Sequence, residues 1–265
     1  MSLHSILICG CGNMGGAMLN GWLRAGFAAA RFTVVDPVLE AVPTGVRLLR
    51  EVPDHGFDVI LLGIKPQALD EVAPRLVAAA PGALVLSILA GVELSSLAAR
   101  LPGAAALVRV MPNLAAAIGK SPMGLFAAGL DESARHDVTA LLAPLGQPEW
   151  LAREDQLDAV TALAGSGPAF VYRLIAALAE GGAELGLEPG QADRLARAMV
   201  EGAATLAAGS PESPAELARR VTSPGGTTAA GLAVLDRDQA LARLIAETLR
   251  AARDRGAELA AAARR

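Results

Sequence analysis

SILICGCGNMGGAM, residues 5–18, joins an apolar run, a glycine-rich turn and the opening of a helix, and its reading decides the fold. Ser5–Gly10 is apolar almost throughout, the pattern of a parallel strand covered on both faces. Gly10-Cys11-Gly12-Asn13-Met14-Gly15 then matches G-x-G-x-x-G. In that motif the first glycine makes the tight turn, the second lets the backbone approach a pyrophosphate, and the third allows close helix–strand packing. Asn13–Ala25 reads as the helix, ending at Gly26, which suits a left-handed cap. Free N–H groups and the dipole at the helix start favour negative phosphates. A lone glycine motif is weak, but this one follows a strand and opens a helix, so it predicts a dinucleotide site.

Arg31–Asp36 (RFTVVD) is β-branched and stops at Pro37, giving a second strand. Asp36 falls about 20 residues past the motif, where a carboxylate hydrogen-bonds the adenosine ribose. Such a carboxylate repels a 2′-phosphate and argues for NADH over NADPH; the competing reading is a turn cap beside Pro37. Arg31 and Arg47 are candidate cations that would compensate and admit NADPH. Gly63-Ile64-Lys65-Pro66-Gln67 ends another buried-strand candidate, Phe57–Ile64, on the rim where open α/β sheets bind ligands. Lys65 could there reach ribose or phosphate, although a solvated lysine at a turn explains it equally well. Pro66 suits the first turn of the helix that follows.

The 265 residues are 53% hydrophobic but 3% aromatic, and much of the apolar content is alanine, which favours closely packed helices. A net charge of −4 argues against nucleic acid as a partner. The N-terminus carries no basic leader, and the apolar stretches are interrupted by Gly, Pro or Arg before the roughly 18 residues of a membrane span. The expectation is a cytoplasmic protein without a membrane partner. Cys9 and Cys11 have no His or Cys cluster around them and read as small apolar residues, with no metal site.

Ala83–Ile88, Ala104–Val110 and Met123–Ala127 are further strand candidates, with helical stretches at Pro66–Ala80, Val92–Arg100 and Glu132–Leu142. Strands alternating with helices predict an α/β Rossmann domain with a doubly wound sheet. After Trp150 no strand candidate remains. Helical periodicity runs through Glu154–Ala164, Ala169–Leu185, Pro189–Ala208, Pro214–Thr222, a stretch from Thr227, and Asp238–Ala263. The expected division is a cofactor-binding domain at 1–151 and an all-α domain at 152–265. The apolar faces of Ala169–Leu185 and Pro189–Ala208 are too broad for so small a helical monomer, which predicts a dimer.

Two glycine-rich segments stand out in the helical half. Ala164-Gly165-Ser166-Gly167-Pro168 removes side-chain bulk and starts a helix with Pro168 at its first position. Thr222-Ser223-Pro224-Gly225-Gly226-Thr227-Thr228 places hydroxyls and free N–H groups at a helix start, a receptor for a small anion such as a carboxylate. Its plain alternative is a turn with a threonine cap.

With these segments the chain resembles the pyrroline-5-carboxylate reductase family over nearly its whole length. The resemblance rests on GCGNMGGAM (Gly10–Met18), GIKPQ (Gly63–Gln67), RVMPN (Arg109–Asn113), LAGSGPAF (Leu163–Phe170) and TSPGGTTAAG (Thr222–Gly231). It departs from the family where Leu114-Ala115 replaces Thr-Pro, and at Asp36, where many NADP-preferring members carry a small polar residue. The resemblance implies a Rossmann domain followed by an all-α C-terminal dimerisation domain, with assembly as far as a decamer. It implies hydride transfer from NADPH or NADH to the C=N carbon of 1-pyrroline-5-carboxylate, which becomes C5 of L-proline, the last step of proline biosynthesis.

Within that expectation Gly10, Cys11, Gly12, Asn13, Met14, Gly15, Asp36, Gly63, Ile64, Lys65 and Pro66 bind cofactor. Ser223, Gly225, Gly226, Thr227 and Thr228 bind the substrate, and the Thr228 hydroxyl partners the ring nitrogen. His4, His55 and His136 sit in non-catalytic settings, and the single tyrosine, Tyr172, is not placed as a general acid. An imine is readily protonated by solvent or substrate, whereas an alcohol dehydrogenase needs a base. The rivals are a β-hydroxyacid dehydrogenase or another imine reductase on the same architecture, and a dinucleotide sensor without chemistry.

Overall fold

β1 (Ile6–Cys9) lies inside an eight-stranded sheet in the computed structural model, which describes residues 3–263. On one side of it are β2 (Phe32–Val35) and β3 (Arg47–Leu49). On the other are β4 (Val59–Leu62), β5 (Leu84–Ser87), β6 (Ala106–Met111), β7 (Ser121–Phe126) and β8 (Gly146–Trp150). The order is β3-β2-β1-β4-β5-β6-β7-β8, with every neighbouring pair parallel except β6 and β7. The strand order reverses between β1 and β4, which opens a crevice outside their carboxyl ends.

Period-2 alternation splits each central strand between two cores. Ile6 and Ile8 of β1 join Phe32, Val34 and Val59 on one face. That face is covered by α1 (Asn13–Arg24) and, later in the chain, by the helix at Glu132–Leu142. Leu7 and Cys9 join Ile60, Leu62 and Val85 on the other, under α2 (Leu69–Leu76) and α3 (Leu94–Arg100). The Glu132–Leu142 helix is α4, and Trp22 pins α1 to it by donating from Nε1 to the Leu141 carbonyl at 2.8 Å.

Three local expectations change. The helix foreseen at Pro66–Ala80 is a 3-10 turn at Pro66–Ala68 followed by α2, which ends at Leu76. β3 and β8 had no apolar signature because they form the two edges of the sheet, where half-exposed polar residues and Pro148 are tolerated. Pro168 is the second residue of its helix rather than the first.

One compact unit runs to Gly165 and includes the chain from Ala252 onward; the other is Ser166–Ala251. The sheet does end at Trp150, but α5 (Gln156–Val160) and a π-helical turn at Thr161–Gly165 belong with it. Val160 sits so close to β7 that a Cβ on Gly124 would come within 2.9 Å of it. In the second unit α6 (Gly167–Glu184) and α7 (Pro189–Ala208) form a hairpin, turning at Gly186 with φ +101°. The Glu188 carboxylate caps α7, accepting from Gly190 N and Gln191 N. α8 (Pro214–Arg220) starts on a Ser213–Glu216 capping box, and α9 (Thr227–Leu235) and α10 (Ala240–Ala263) follow.

No residue of α6 is buried, and Val171, Tyr172, Leu174 and Leu178 stand exposed along it. Gln156–Glu184, with a mean hydropathy of 1.4, is long and apolar enough to cross a membrane by length and composition. This corrects the expectation that Gly, Pro or Arg interrupts every apolar stretch short of a membrane span. Pro168 falls in the first helical turn, where a missing N–H disturbs no intrahelical bond.

Candidate functional site

At the switch point the first two glycine loops touch. Gly10 has φ +85°, and a Cβ there would lie 2.8 Å from the backbone of Gly63 and Ile64. Gly63 N donates to the Cys9 carbonyl at 2.8 Å, and Gly10 N to the Val35 carbonyl at 2.9 Å. A Cβ on Gly15 would come within 2.5 Å of the Gly10 carbonyl oxygen. Gly12 is different, because a Cβ there would meet no protein atom within 4 Å. Gly10 and Gly15 are therefore demanded by packing, whereas the space over Gly12 is open to a ligand. α1 starts there with neither a side-chain cap nor an acidic residue in its first turn. Its leading N–H groups suit a pyrophosphate.

A cleft of about 450 Å³ opens beside this turn, lined by Gly12, Asp36, Arg50, Ile64 and Lys65 among others. Asp36 is buried within it, and its carboxylate accepts three backbone N–H bonds, from Cys11 on Oδ2 and from Val38 and Leu39 on Oδ1, each at 3.0 Å. Burial alone would raise its pKa. The three N–H donors and the nearby Arg50 outweigh that and hold the group below the ordinary aspartate value. The carboxylate thus caps the turn after β2 and ties it to the glycine loop, while lining the cleft. Neither foreseen cation serves this cleft. Arg31 donates to the carbonyls of Leu3 and His4 and lies over the Phe27 ring, and Arg47 is exposed at the start of β3. Arg50 and Arg75 line the cleft instead. The first follows β3, an element without a sequence signal.

Cys9 and Cys11 are buried beside this carboxylate. Burial first, and the Asp36 charge second, push both thiols up to about 11, so they stay protonated at neutral pH. Among the described residues no group of three His, Cys, Asp or Glu side chains could hold a metal ion.

Further along the sheet from the switch point are the carboxyl ends of β5 and β6. Asn113, just past β6, is buried there with every group engaged. Its Nδ2 donates to the Ala164 carbonyl, its Oδ1 accepts from Ala115 N, and its backbone N–H donates to Ser121 Oγ, all at 2.9 Å. Ala164 belongs to the π-helical turn, a feature frequent at functional sites. Asn113 had no role in the sequence reading; its partner lies 51 residues away and only the fold joins them. Arg109 of the same motif is buried against Glu154 at 2.9 Å, and Glu154 also accepts from Leu94 N.

In the helical unit the Thr222–Thr228 segment links α8 to α9. Gly225 has φ +71°, and Gly226 N donates to the Ser223 carbonyl at 3.0 Å, which makes the turn. Gly226 is the N-cap of α9, with no side-chain cap, so the threonine-cap alternative does not hold. Thr227 and Thr228 are exposed in its first turn, which contains no acidic residue.

These two glycine segments fall in two different family matches. A model described as NADP oxidoreductase, coenzyme F420-dependent, matches residues 5–91, and one described as pyrroline-5-carboxylate reductase dimerisation matches residues 154–259. The pyrroline-5-carboxylate reductase of Pseudomonas aeruginosa is 38% identical, over 98% of either chain. The chain belongs to the pyrroline-5-carboxylate reductase family. A second family member, from Synechocystis, is 36% identical over 94% of this chain and 97% of its own. The structure of a pyrroline-5-carboxylate reductase from Coxiella burnetii superposes with a TM-score of 0.89 at 30% identity, covering 97% of this chain and 99% of that one. The first match runs from β1 to just past β5, and the second from α5 into α10.

Proposed function

We infer that this chain is an NAD(P)H-dependent imine reductase that converts 1-pyrroline-5-carboxylate to L-proline, the last step of proline biosynthesis. The observation that carries this is end-to-end similarity to curated members of the family, across both glycine-bearing parts. When bound, NADPH or NADH supplies the hydride. The chain's own residues bind, orient and exclude water.

In this reading the Gly10–Gly15 turn and the first N–H groups of α1 hold the pyrophosphate. Asp36 and the Gly63–Pro66 loop wall the adenosine side, with Lys65 at its edge. In the helical unit the N–H groups of Gly225 and Thr227 and the Ser223 hydroxyl receive the substrate carboxylate at the positive end of α9. Gly226 shapes this receptor, since its own N–H already serves the turn. The Thr228 hydroxyl partners the ring nitrogen, accepting from the N–H of the protonated imine, and supports the change from imine to amine. Holding two reactants in register is the largest contribution available to such a site.

The working unit we propose is a cytoplasmic homodimer in which a second copy covers the apolar faces of α6 and α7. Five such dimers would form the decamer that the family resemblance implies. A second copy, rather than a membrane, accounts for the exposed apolar helix, because the dimerisation match spans it. Assayed side by side, 1-pyrroline-5-carboxylate should drive oxidation of NADPH or NADH with one L-proline formed per cofactor. Turnover of 3-hydroxyisobutyrate with NAD and none of the imine would overturn this reading in favour of a hydroxyacid dehydrogenase.

A further inference from the structure

Arg50 lines the cleft beside Asp36. Its Nη1 donates to the Asp36 carbonyl at 2.9 Å and to the Leu39 carbonyl at 2.7 Å. Both hydrogen bonds that the guanidinium makes to the described residues run from that one nitrogen. The remaining donors, on Nε and Nη2, belong to an exposed side chain that lines the cofactor cleft. Asp36, by contrast, has its carboxylate engaged by three backbone N–H groups and is an incomplete barrier to a second anion.

Two other arginines are engaged with protein partners. Arg75 is paired with Glu71 at 3.3 Å, and Arg31 is bound to the carbonyls of Leu3 and His4. Asp36, Glu51 and Glu71 balance Arg50, Lys65 and Arg75 around the cleft, so recognition of an added phosphate depends on local geometry rather than on net charge. A guanidinium held by one nitrogen and offering its other edge suits a phosphate, which takes parallel N–H bonds.

We propose that Arg50 recognises the 2′-phosphate of NADPH, so that the chain accepts NADPH despite the carboxylate at Asp36. This rests on the proposed function only in requiring a nicotinamide dinucleotide. Arg50 and not Asp36 then sets the ratio between the two cofactors.

The test is Arg50→Gln, which keeps a polar side chain and removes the charge. Direct titration of wild type and variant with NADPH, NADH, 2′,5′-ADP and ADP reads binding without turnover. Affinity for NADPH and 2′,5′-ADP should fall about tenfold to a hundredfold, the loss of a charge-assisted hydrogen bond. Affinity for NADH and ADP should stay within about twofold. Equal weakening of all four ligands would reduce Arg50 to a clamp on the β2–β3 loop and overturn the proposal. So would a wild type that binds NADH but no 2′-phosphorylated ligand, or a variant that binds NADPH unchanged. A wild type that binds both cofactors and reduces no imine would instead contradict the proposed function and leave this assignment standing on its own data.

Discussion

Asp36 was legible as an acidic residue at a strand end, with two competing roles, because the spacing from the glycine motif is local. Its hydrogen-bond partners were not, since Cys11 lies 25 residues earlier and meets it only in the parallel pairing of β1 with β2. Asp36→Ser removes the acceptor of three N–H groups, so it should weaken both cofactors and lower stability by roughly 1–3 kcal/mol. A selective gain in NADPH affinity, with stability unchanged, would show that the carboxylate acts chiefly on the ribose. The folded pKa of Asp36 is lowered, as is that of Asp58, which anchors the other end of β1 through His4 N and Ser5 N; burial opposes both shifts and the N–H bonds outweigh it. A lowered folded value means the stabilisation is fully present above the unfolded carboxylate pKa, about 3.9, and is lost as pH falls through the folded value. Thermal melts from pH 7 down to pH 3 should therefore show a shallower acid loss for Asp36→Asn than for wild type; parallel curves would contradict this. Thr228→Ala should lower kcat about tenfold or more while cofactor affinity is unchanged, and unaltered turnover would remove Thr228 from the mechanism.

At the scale of elements, the strand–turn–helix at Ile6–Arg24 was readable because its signals are contiguous: an apolar run, three spaced glycines and a helix closed by Gly26, which has φ +90°. The structure separates the glycines by cause, and the separation is testable. Gly12→Ala should fold with its melting temperature unchanged yet lose most dinucleotide affinity, because the added methyl enters only the ligand's space. Gly10→Ala should lower stability, because it forces a Cβ at positive φ into the Gly63 backbone. If both variants lost binding and stability alike, the glycines would not divide between packing and ligand. β3 and β8 were invisible in the sequence because an edge strand has no continuous apolar face. Arg50 was missed with β3, since the loop that carries it has no pattern of its own.

For the whole molecule, the change from alternating strands to helices alone was plain in the sequence, whereas the compact units were not, because α5 and the π-helical turn are helical by pattern yet pack with the sheet. The exposed Val171, Tyr172, Leu174 and Leu178 of α6 give the helical unit an apolar surface that a monomer would leave in water. Light scattering at micromolar concentration should give at least the mass of two chains, and Leu174→Glu should shift the protein towards monomer. A wild-type monomer would remove the dimer from the account. Hydride transfer to an imine carbon can be followed by isotope transfer. With NADPH or NADH deuterated at C4, one of the two stereospecifically labelled forms should deliver a single deuterium to C5 of L-proline, detected by mass spectrometry. Proline that is absent, or unlabelled from both forms, would contradict it.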